Sequence, residues 1–118
     1  MPKNKYIDMD ITNLPTPAFI VDERLLKRNL EILKSVIDRT GCKILLAQKG
    51  FSMFYFYPLI GKYLNGTTAS SLFEARLGYE EMELKNTERK LETHIFNPSY
   101  REDEFDEIMK ITNHIVFN

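Results

Sequence analysis

The chain has 118 residues, of which 43% are hydrophobic, and a formal net charge of -1. A chain of this size can bury a single core, and its interspersed charges give no electrostatic reason to expect binding to nucleic acid or to an anionic membrane surface. A single cysteine excludes an internal disulfide framework. Because neither a membrane-spanning apolar run nor a signal-peptide pattern is present, we expect a cytoplasmic protein.

The first predicted elements are a helix and a strand. Asp22 is typical of a helix N-cap, and Gly41 is typical of a helix end. Between them, apolar residues recur at helical spacing at Leu26, Leu30, Leu33 and Ile37. A strand is predicted over residues 43–49, and its four consecutive apolar residues, 44–47, indicate a strand covered on both faces, as in a parallel sheet.

Lys49 closes this predicted strand and is a candidate active-site amine. Active sites of α/β barrels lie at the carboxyl ends of the strands. Because side chains alternate along a strand, Ala47 and Lys49 share a face, and the small Ala47 leaves room for a partly buried amine. Such an amine could form a Schiff base with an aldehyde. From the spacing alone, the alternative, a solvated lysine that merely ends a strand, is the favoured interpretation.

Helical and strand-like patterns continue to alternate along the chain. An aromatic-rich segment, 53–57, leads into a helix that is kinked or restarted at Pro58, and a short strand follows over 67–70. Ser71 and Glu74 match a capping box for a helix that runs to about residue 82. A strand over 93–97 precedes a helix with an acidic first turn, which turns Phe105, Ile108 and Met109 inward, and a final strand occupies 114–118.

This alternation predicts βα units with parallel strands. The predicted strands end on polar residues at Lys49, Ser70, Asn97 and Asn118, which would lie at one rim of the sheet. Four units make half of a (β/α)8 barrel. Since a free apolar edge strand is an association hazard, we expect a truncated chain.

Four sequence blocks resemble the carboxynorspermidine decarboxylase family. They are LPTPAFIVD at 14–22, GCKILLAQKGF at 41–51, TASSLFEARLG at 68–78 and NPSYREDEF at 97–105. The blocks run in family order and cover nearly all of the chain. The family is similar to ornithine and diaminopimelate decarboxylases and to alanine racemase. In these enzymes a (β/α)8 barrel binds pyridoxal 5′-phosphate, and a β-rich domain completes the site.

The resemblance implies a role for Lys49 as the lysine that binds pyridoxal 5′-phosphate, and it makes Ser70 a second cofactor-binding candidate. It also implies two units, a segment 1–22 that contributes a strand at 18–21 to a missing β domain and a partial barrel over 23–118. The expected substrate is a small polyamine precursor, carboxynorspermidine or carboxyspermidine, and the expected assembly is a homodimer. The remaining cofactor-binding parts should lie beyond Asn118, so the chain alone should be inactive.

Several alternatives stay open. A diaminopimelate decarboxylase or an alanine-racemase-like enzyme would share Lys49, and a non-catalytic barrel fragment could retain it. The other reactive-looking residues are expected to be structural. Cys42 is predicted to be packed, without a nearby base or metal-ligand spacing, and His94 and His114 are predicted at strand starts opposite Lys49. No metal site is expected. The polar stretch 85–92 is expected to be solvated, and the aromatics at 51–57 are expected to pack rather than bind bases.

Overall fold

A computed structural model describes residues 10–118, in which four helices alternate with four short strands. The helices are α1 (Glu23–Thr40), α2 (Tyr57–Ile60), α3 (Leu72–Gly78) and α4 (Glu102–Ile111). The strands are β1 (Leu46–Ala47), β2 (Gly66–Ala69), β3 (Glu92–Phe96) and β4 (His114–Val116). A 3-10 turn, Phe54–Phe56, precedes α2, and a π-helical turn, Tyr79–Glu83, extends α3.

The four strands form one parallel sheet in sequence order, β1-β2-β3-β4. Ala47 is in register with Thr68, Thr68 with His94, and His94 with His114, so these four side chains form one row across the sheet. The predicted α/β class and parallel order are therefore confirmed. Lys49, Ser70 and Asn97 follow β1, β2 and β3 at the same rim, as expected, and Asn118 lies just beyond β4.

Helix α1 forms between the two predicted end signals. The Asp22 carboxylate accepts hydrogen bonds from the Arg24 and Leu25 amides at 2.9 and 3.2 Å. At the other end Gly41 adopts a left-handed conformation, with φ of 72°, and donates to the Ile37 carbonyl. Leu30 is buried, but Leu33 is exposed, because the apolar stripe of α1 meets the rest of the chain along one narrow line.

The helices cover one face of the sheet in two adjoining clusters. Around β1, α1 and α2 bury a cluster that includes Leu30, Tyr57 and Ile60. Around β2 and β3, α3 and α4 bury a second cluster that includes Ala75, Ile95 and Ile108. The opposite face of the sheet includes the half-buried Thr68, Glu92 and His94 and the exposed Phe96. We call it the open face.

Four sequence predictions about strand length and packing are wrong. The first strand is only Leu46–Ala47 rather than residues 43–49, because β1 is an edge strand paired on one side alone and Asn65 takes over the hydrogen bonds of Ile44. Ala47 is also exposed, so β1 is covered on one face only. Cys42 is exposed rather than packed, since it lies beyond the end of α1. Finally, Met109 is 52% exposed, although its neighbour Ile108 is fully buried.

The polar stretch 85–92 is not simply solvated. The Asn86 amide and the Arg89 guanidinium both donate to the Gly61 carbonyl at 3.1 Å, and Arg89 also donates to the Leu64 carbonyl. Carbonyls beyond a helix end need such partners. Leu91 is 1% exposed, and Glu92 already belongs to β3. The stretch therefore closes the end of α2 and leads into the sheet.

Residues 18–21 lie outside the sheet and have no strand assignment. Phe19 is fully exposed there, and Ile20 is 40% exposed. Their position outside the sheet agrees with the prediction, whereas their pairing with a β domain stays a prediction. Among residues 10–118, no helix combines the length and the apolar character needed to cross a membrane.

Candidate active site

Lys49 lies in a tight turn that follows β1. The Ala47 carbonyl accepts from the Gly50 and Phe51 amides at 3.0 and 3.3 Å, so the chain reverses immediately after the strand and presents the lysine at the rim. The Lys49 side chain is exposed rather than partly buried, because neither α1 nor α2 extends over this edge. None of the ion pairs formed within residues 10–118 involves it. The amine is therefore accessible to an aldehyde.

Ser70 follows β2 and is held by Glu74. One carboxylate oxygen of Glu74, Oε2, accepts both from the Ser70 amide and from the Ser70 hydroxyl, each at 2.8 Å. Glu74 is in turn fixed by the start of α3, where the Ser71 hydroxyl accepts from the Glu74 amide at 3.2 Å. Only half of the predicted capping box forms, because the Ser71 hydroxyl caps α3 but the Glu74 carboxylate turns back to Ser70 rather than to the cap residue. The hydroxyl of Ser70 is oriented by this carboxylate.

Gln48 connects the turn that bears Lys49 to the start of α3. Its side chain points away from the open face and is 2% exposed. The amide nitrogen donates to the Glu74 carbonyl at 2.9 Å, and the amide oxygen lies 3.1 Å from the Tyr57 hydroxyl. Burial, with the Glu74 carboxylate as a smaller cause, raises the pKa of Tyr57 to about 12, so its phenol stays protonated and can donate.

These residues surround an open pocket of about 160 Å³ at the carboxyl rim of the sheet. The pocket is lined by residues 47–49, residues 68–70, Glu74 and Phe96. The structure therefore brings Lys49 and Ser70 together. Sequence reasoning missed Glu74 as a site residue and treated it only as a helix-start signal. The available clue was its spacing, since a carboxylate at the third position of a helix after a strand end can reach back to that strand end.

The two histidines do not line this pocket. His114 begins β4, as predicted, but His94 lies in the middle of β3 rather than at its start, because β3 begins at Glu92. Both rings are on the open face, one row below the rim that holds Lys49.

Comparison with known proteins gives consistent matches to decarboxylases, although no family model matches the chain. The chain is 41% identical over 105 residues to the carboxynorspermidine/carboxyspermidine decarboxylase of Campylobacter jejuni. It is 34% identical over 105 residues to the protein of the same name from Herminiimonas arsenicoxydans. It is also 37% identical over 108 residues to a carboxyaminopropylagmatine decarboxylase from Synechocystis. These alignments cover 89%, 89% and 92% of the chain, respectively.

A solved structure gives the same match. The chain superimposes on the crystal structure of carboxynorspermidine decarboxylase from Campylobacter jejuni, which was solved in complex with norspermidine, with a TM-score of 0.78 and 42% identity. The match covers 87% of this chain and 26% of that one. The chain likewise spans only 26% or 27% of the length of the three curated relatives. The resemblance in the sequence blocks is thereby confirmed. The chain is homologous to a segment that makes up about a quarter of the length of the carboxynorspermidine/carboxyspermidine decarboxylases.

Proposed function

We propose that the protein to which this chain belongs is a pyridoxal 5′-phosphate-dependent decarboxylase of polyamine biosynthesis that acts on carboxynorspermidine or carboxyspermidine. The observation that supports this most strongly is the 41% identity to such an enzyme over 89% of the chain. The position of Lys49 adds independent support, because its exposed amine lies in a pocket at the carboxyl ends of parallel strands.

The architecture of the whole protein is part of the proposal. We propose that the four parallel strands are half of a (β/α)8 barrel, in which the open face becomes the barrel interior. Residues 1–22 then contribute to a separate β domain, and residues 23–118 form the partial barrel. A homodimer completes the site. The short length of the match supports this view, because the remaining three quarters or so of the relatives must contain further structure.

The residues present fit the aldehyde end of the cofactor. Lys49 supplies an accessible primary amine, and Ser70 supplies a hydroxyl that Glu74 holds at the same pocket. Within residues 10–118, Lys49 is the only basic side chain that lines the pocket, so donors for the phosphate group would come from elsewhere in the protein. When bound, pyridoxal 5′-phosphate supplies an electron sink for the electron pair left by carbon dioxide.

The chain's own residues then have distinct tasks. Lys49 Nζ would hold the cofactor through its aldehyde, and the same amine, when free, would be placed to move a proton. Glu74 keeps the Ser70 hydroxyl in one orientation. Gln48 ties the turn of Lys49 to the backbone at Glu74, which fixes the distance between the two walls of the pocket.

A second substrate is favoured by one of the comparisons. The relative from Synechocystis is a carboxyaminopropylagmatine decarboxylase, and it is 37% identical over 92% of the chain. The substrate could therefore be a carboxylated polyamine precursor that ends in a guanidinium group instead of an amine.

Carbon dioxide release by the full-length protein tests the proposal. We expect turnover of carboxynorspermidine or carboxyspermidine, or of carboxyaminopropylagmatine if the second candidate is right, and no turnover of diaminopimelate. Lys49→Ala should lower kcat by at least about a thousandfold, because loss of the nucleophilic amine removes covalent catalysis. Lys62→Ala removes an exposed lysine away from the pocket and should leave kcat unchanged. Turnover of diaminopimelate alone would contradict the proposal.

A further inference from the structure

Three potential metal ligands converge on the open face, beside the Lys49 pocket but outside its lining. Glu92, His94 and His114 each offer one ligand atom, and these atoms all lie within 4.8 Å of one another. His94 Nε2 is 2.8 Å from Glu92 Oε2, and His114 Nε2 is 3.8 Å from the same oxygen. We call these three residues the Glu-His-His cluster.

The backbone of the sheet produces this convergence. Glu92 and His94 are two positions apart on β3, so their side chains lie on the same face. His114 is the in-register partner of His94 on β4, which places the two imidazole centroids 4.3 Å apart. The three ligands are thus supplied by regular, hydrogen-bonded strands rather than by loops, and rigid elements hold such sites more accurately than loops do.

The chemistry of the cluster suits a borderline metal ion. Two imidazoles and one carboxylate are typical ligands of Zn²⁺, with metal-ligand distances of about 2.0–2.2 Å. Tetrahedral geometry at that distance separates the ligand atoms by about 3.3 Å, which lies between the two observed separations of 2.8 and 3.8 Å. Since all three ligand atoms lie within 4.8 Å of one another, side-chain rotations can bring them onto one ion. Mg²⁺ and Ca²⁺ prefer all-oxygen ligand sets and fit less well.

Within residues 10–118, only one carboxylate oxygen of Glu92 forms an ion pair with a lysine, so the other can bind a cation. Lys43 forms an ion pair with Oε1, while both histidines face Oε2. A metal ion bound to His94 Nε2 and Glu92 Oε2 would replace the 2.8 Å contact that now joins these two atoms.

We propose that Glu92, His94 and His114 form a Zn²⁺ site, with a fourth coordination position left for water or another ligand. The proposal does not depend on the proposed decarboxylase activity, because the cluster shares no residue with the Lys49 pocket.

The test is a metal titration of the full-length protein, freed of any affinity tag and stripped with a chelator. Calorimetry should show one high-affinity Zn²⁺ per chain. Co²⁺ used as a spectroscopic probe should give the intense visible bands of a four-coordinate ion with nitrogen ligands. Absence of both signals from the parent protein would overturn the proposal without recourse to any variant.

Variants locate the ion. His94→Ala, His114→Asn and Glu92→Gln should each weaken Zn²⁺ binding by more than about tenfold, because each removes one ligand of the ion. Lys43→Met leaves the three ligands intact and removes a competing cation, so it should tighten binding. Glu107→Gln, a carboxylate control paired with Arg76 elsewhere, should have no effect. Unchanged affinity in His114→Asn would contradict the assignment.

Discussion

Thr67 is fully buried in β2, and within residues 10–118 its hydroxyl has no hydrogen-bond partner. An unpaired buried hydroxyl costs about 1–3 kcal/mol, whereas an apolar group of the same shape does not. We therefore expect Thr67→Val to raise the free energy of unfolding by about 1 kcal/mol. Urea denaturation of the full-length protein measures this change.

Thr93 provides the matched control for that prediction. It is the in-register neighbour of Thr67 and is equally buried, but its hydroxyl donates to Glu83 Oε2 at 2.8 Å. Thr93→Val should therefore lower the free energy of unfolding by about 1 kcal/mol or more. Equal effects of the two substitutions would show that the Thr67 hydroxyl has a partner after all.

Glu83 should make stability depend on pH in an unusual direction. Burial raises its pKa above the ordinary 4.5, although the bond from Thr93 offsets part of this. The folded state then binds this proton more tightly than the unfolded state, so stability is lost as the pH rises through the raised pKa. Glu83→Gln keeps an acceptor for Thr93 and removes the charge. It should stabilise the protein at neutral pH, with a gain that shrinks as the pH falls towards 4.5.

Unfolding measurements at several pH values test this sign. A free-energy difference between Glu83→Gln and the parent that stays constant from acid to neutral pH would contradict it. A difference that grows with decreasing pH would show that the carboxylate is stabilised in the fold.

At the level of single residues, the sequence analysis identified Lys49 and Ser70 as site residues but not the hydrogen bonds that position them. Strand alternation correctly put Gln48 on the face opposite Lys49, so its burial was predictable. The hydrogen bonds of Gln48 to Glu74 and Tyr57 were not predictable, because these residues lie 26 and 9 positions away in the sequence, respectively. The Glu-His-His cluster was missed for the same reason, since only the register of β3 with β4 brings His94 beside His114.

Among the elements, α3 packs on β2 through Gly78. A Cβ at this position would lie 2.1 Å from Thr67 Oγ1, which is far inside contact distance. Alanine is otherwise favoured over glycine in a helix by about 1 kcal/mol, but overpacking typically costs about 1–3 kcal/mol. We expect the cost of the steric overlap to exceed the gain in helix propensity, so that Gly78→Ala lowers the free energy of unfolding and the melting temperature.

Gly50→Ala is the corresponding control. There the nearest atom to an added Cβ is the Ala47 carbonyl oxygen at 3.5 Å, an ordinary contact. Its effect on unfolding should be within about 0.5 kcal/mol. If Gly78→Ala were equally neutral, the close packing of α3 on β2 would be contradicted.

The identity and order of the elements were more predictable than their lengths. Caps and periodicity located α1, α3 and α4, since those signals are local. The strands are shorter than their apolar runs because a strand exists only where a neighbour pairs with it. β1 and β4 have one strand neighbour each within residues 10–118, and they are the two shortest strands.

For the whole molecule, the repeated βα pattern predicted a parallel sheet with one functional rim, and the structure has that sheet. The pattern could not predict the parts of the fold and of the site that the rest of the relatives' sequence contributes. The pocket beside Lys49 is open, and the opposite edge of β1 has no strand neighbour among the described residues. Closure of a barrel over this face would account for both features.

The central claim, that Lys49 binds the cofactor, is tested most directly by chemical trapping. The full-length protein is incubated with pyridoxal 5′-phosphate, reduced with borohydride, digested and mapped by mass spectrometry. We predict that the phosphopyridoxyl group is found on the peptide containing residue 49, and that Lys49→Ala and Lys49→Arg lose it, since a guanidinium cannot act as the amine. Lys62→Ala should retain it. A label that persists on another lysine in Lys49→Ala, with decarboxylation at the parent rate, would contradict the account.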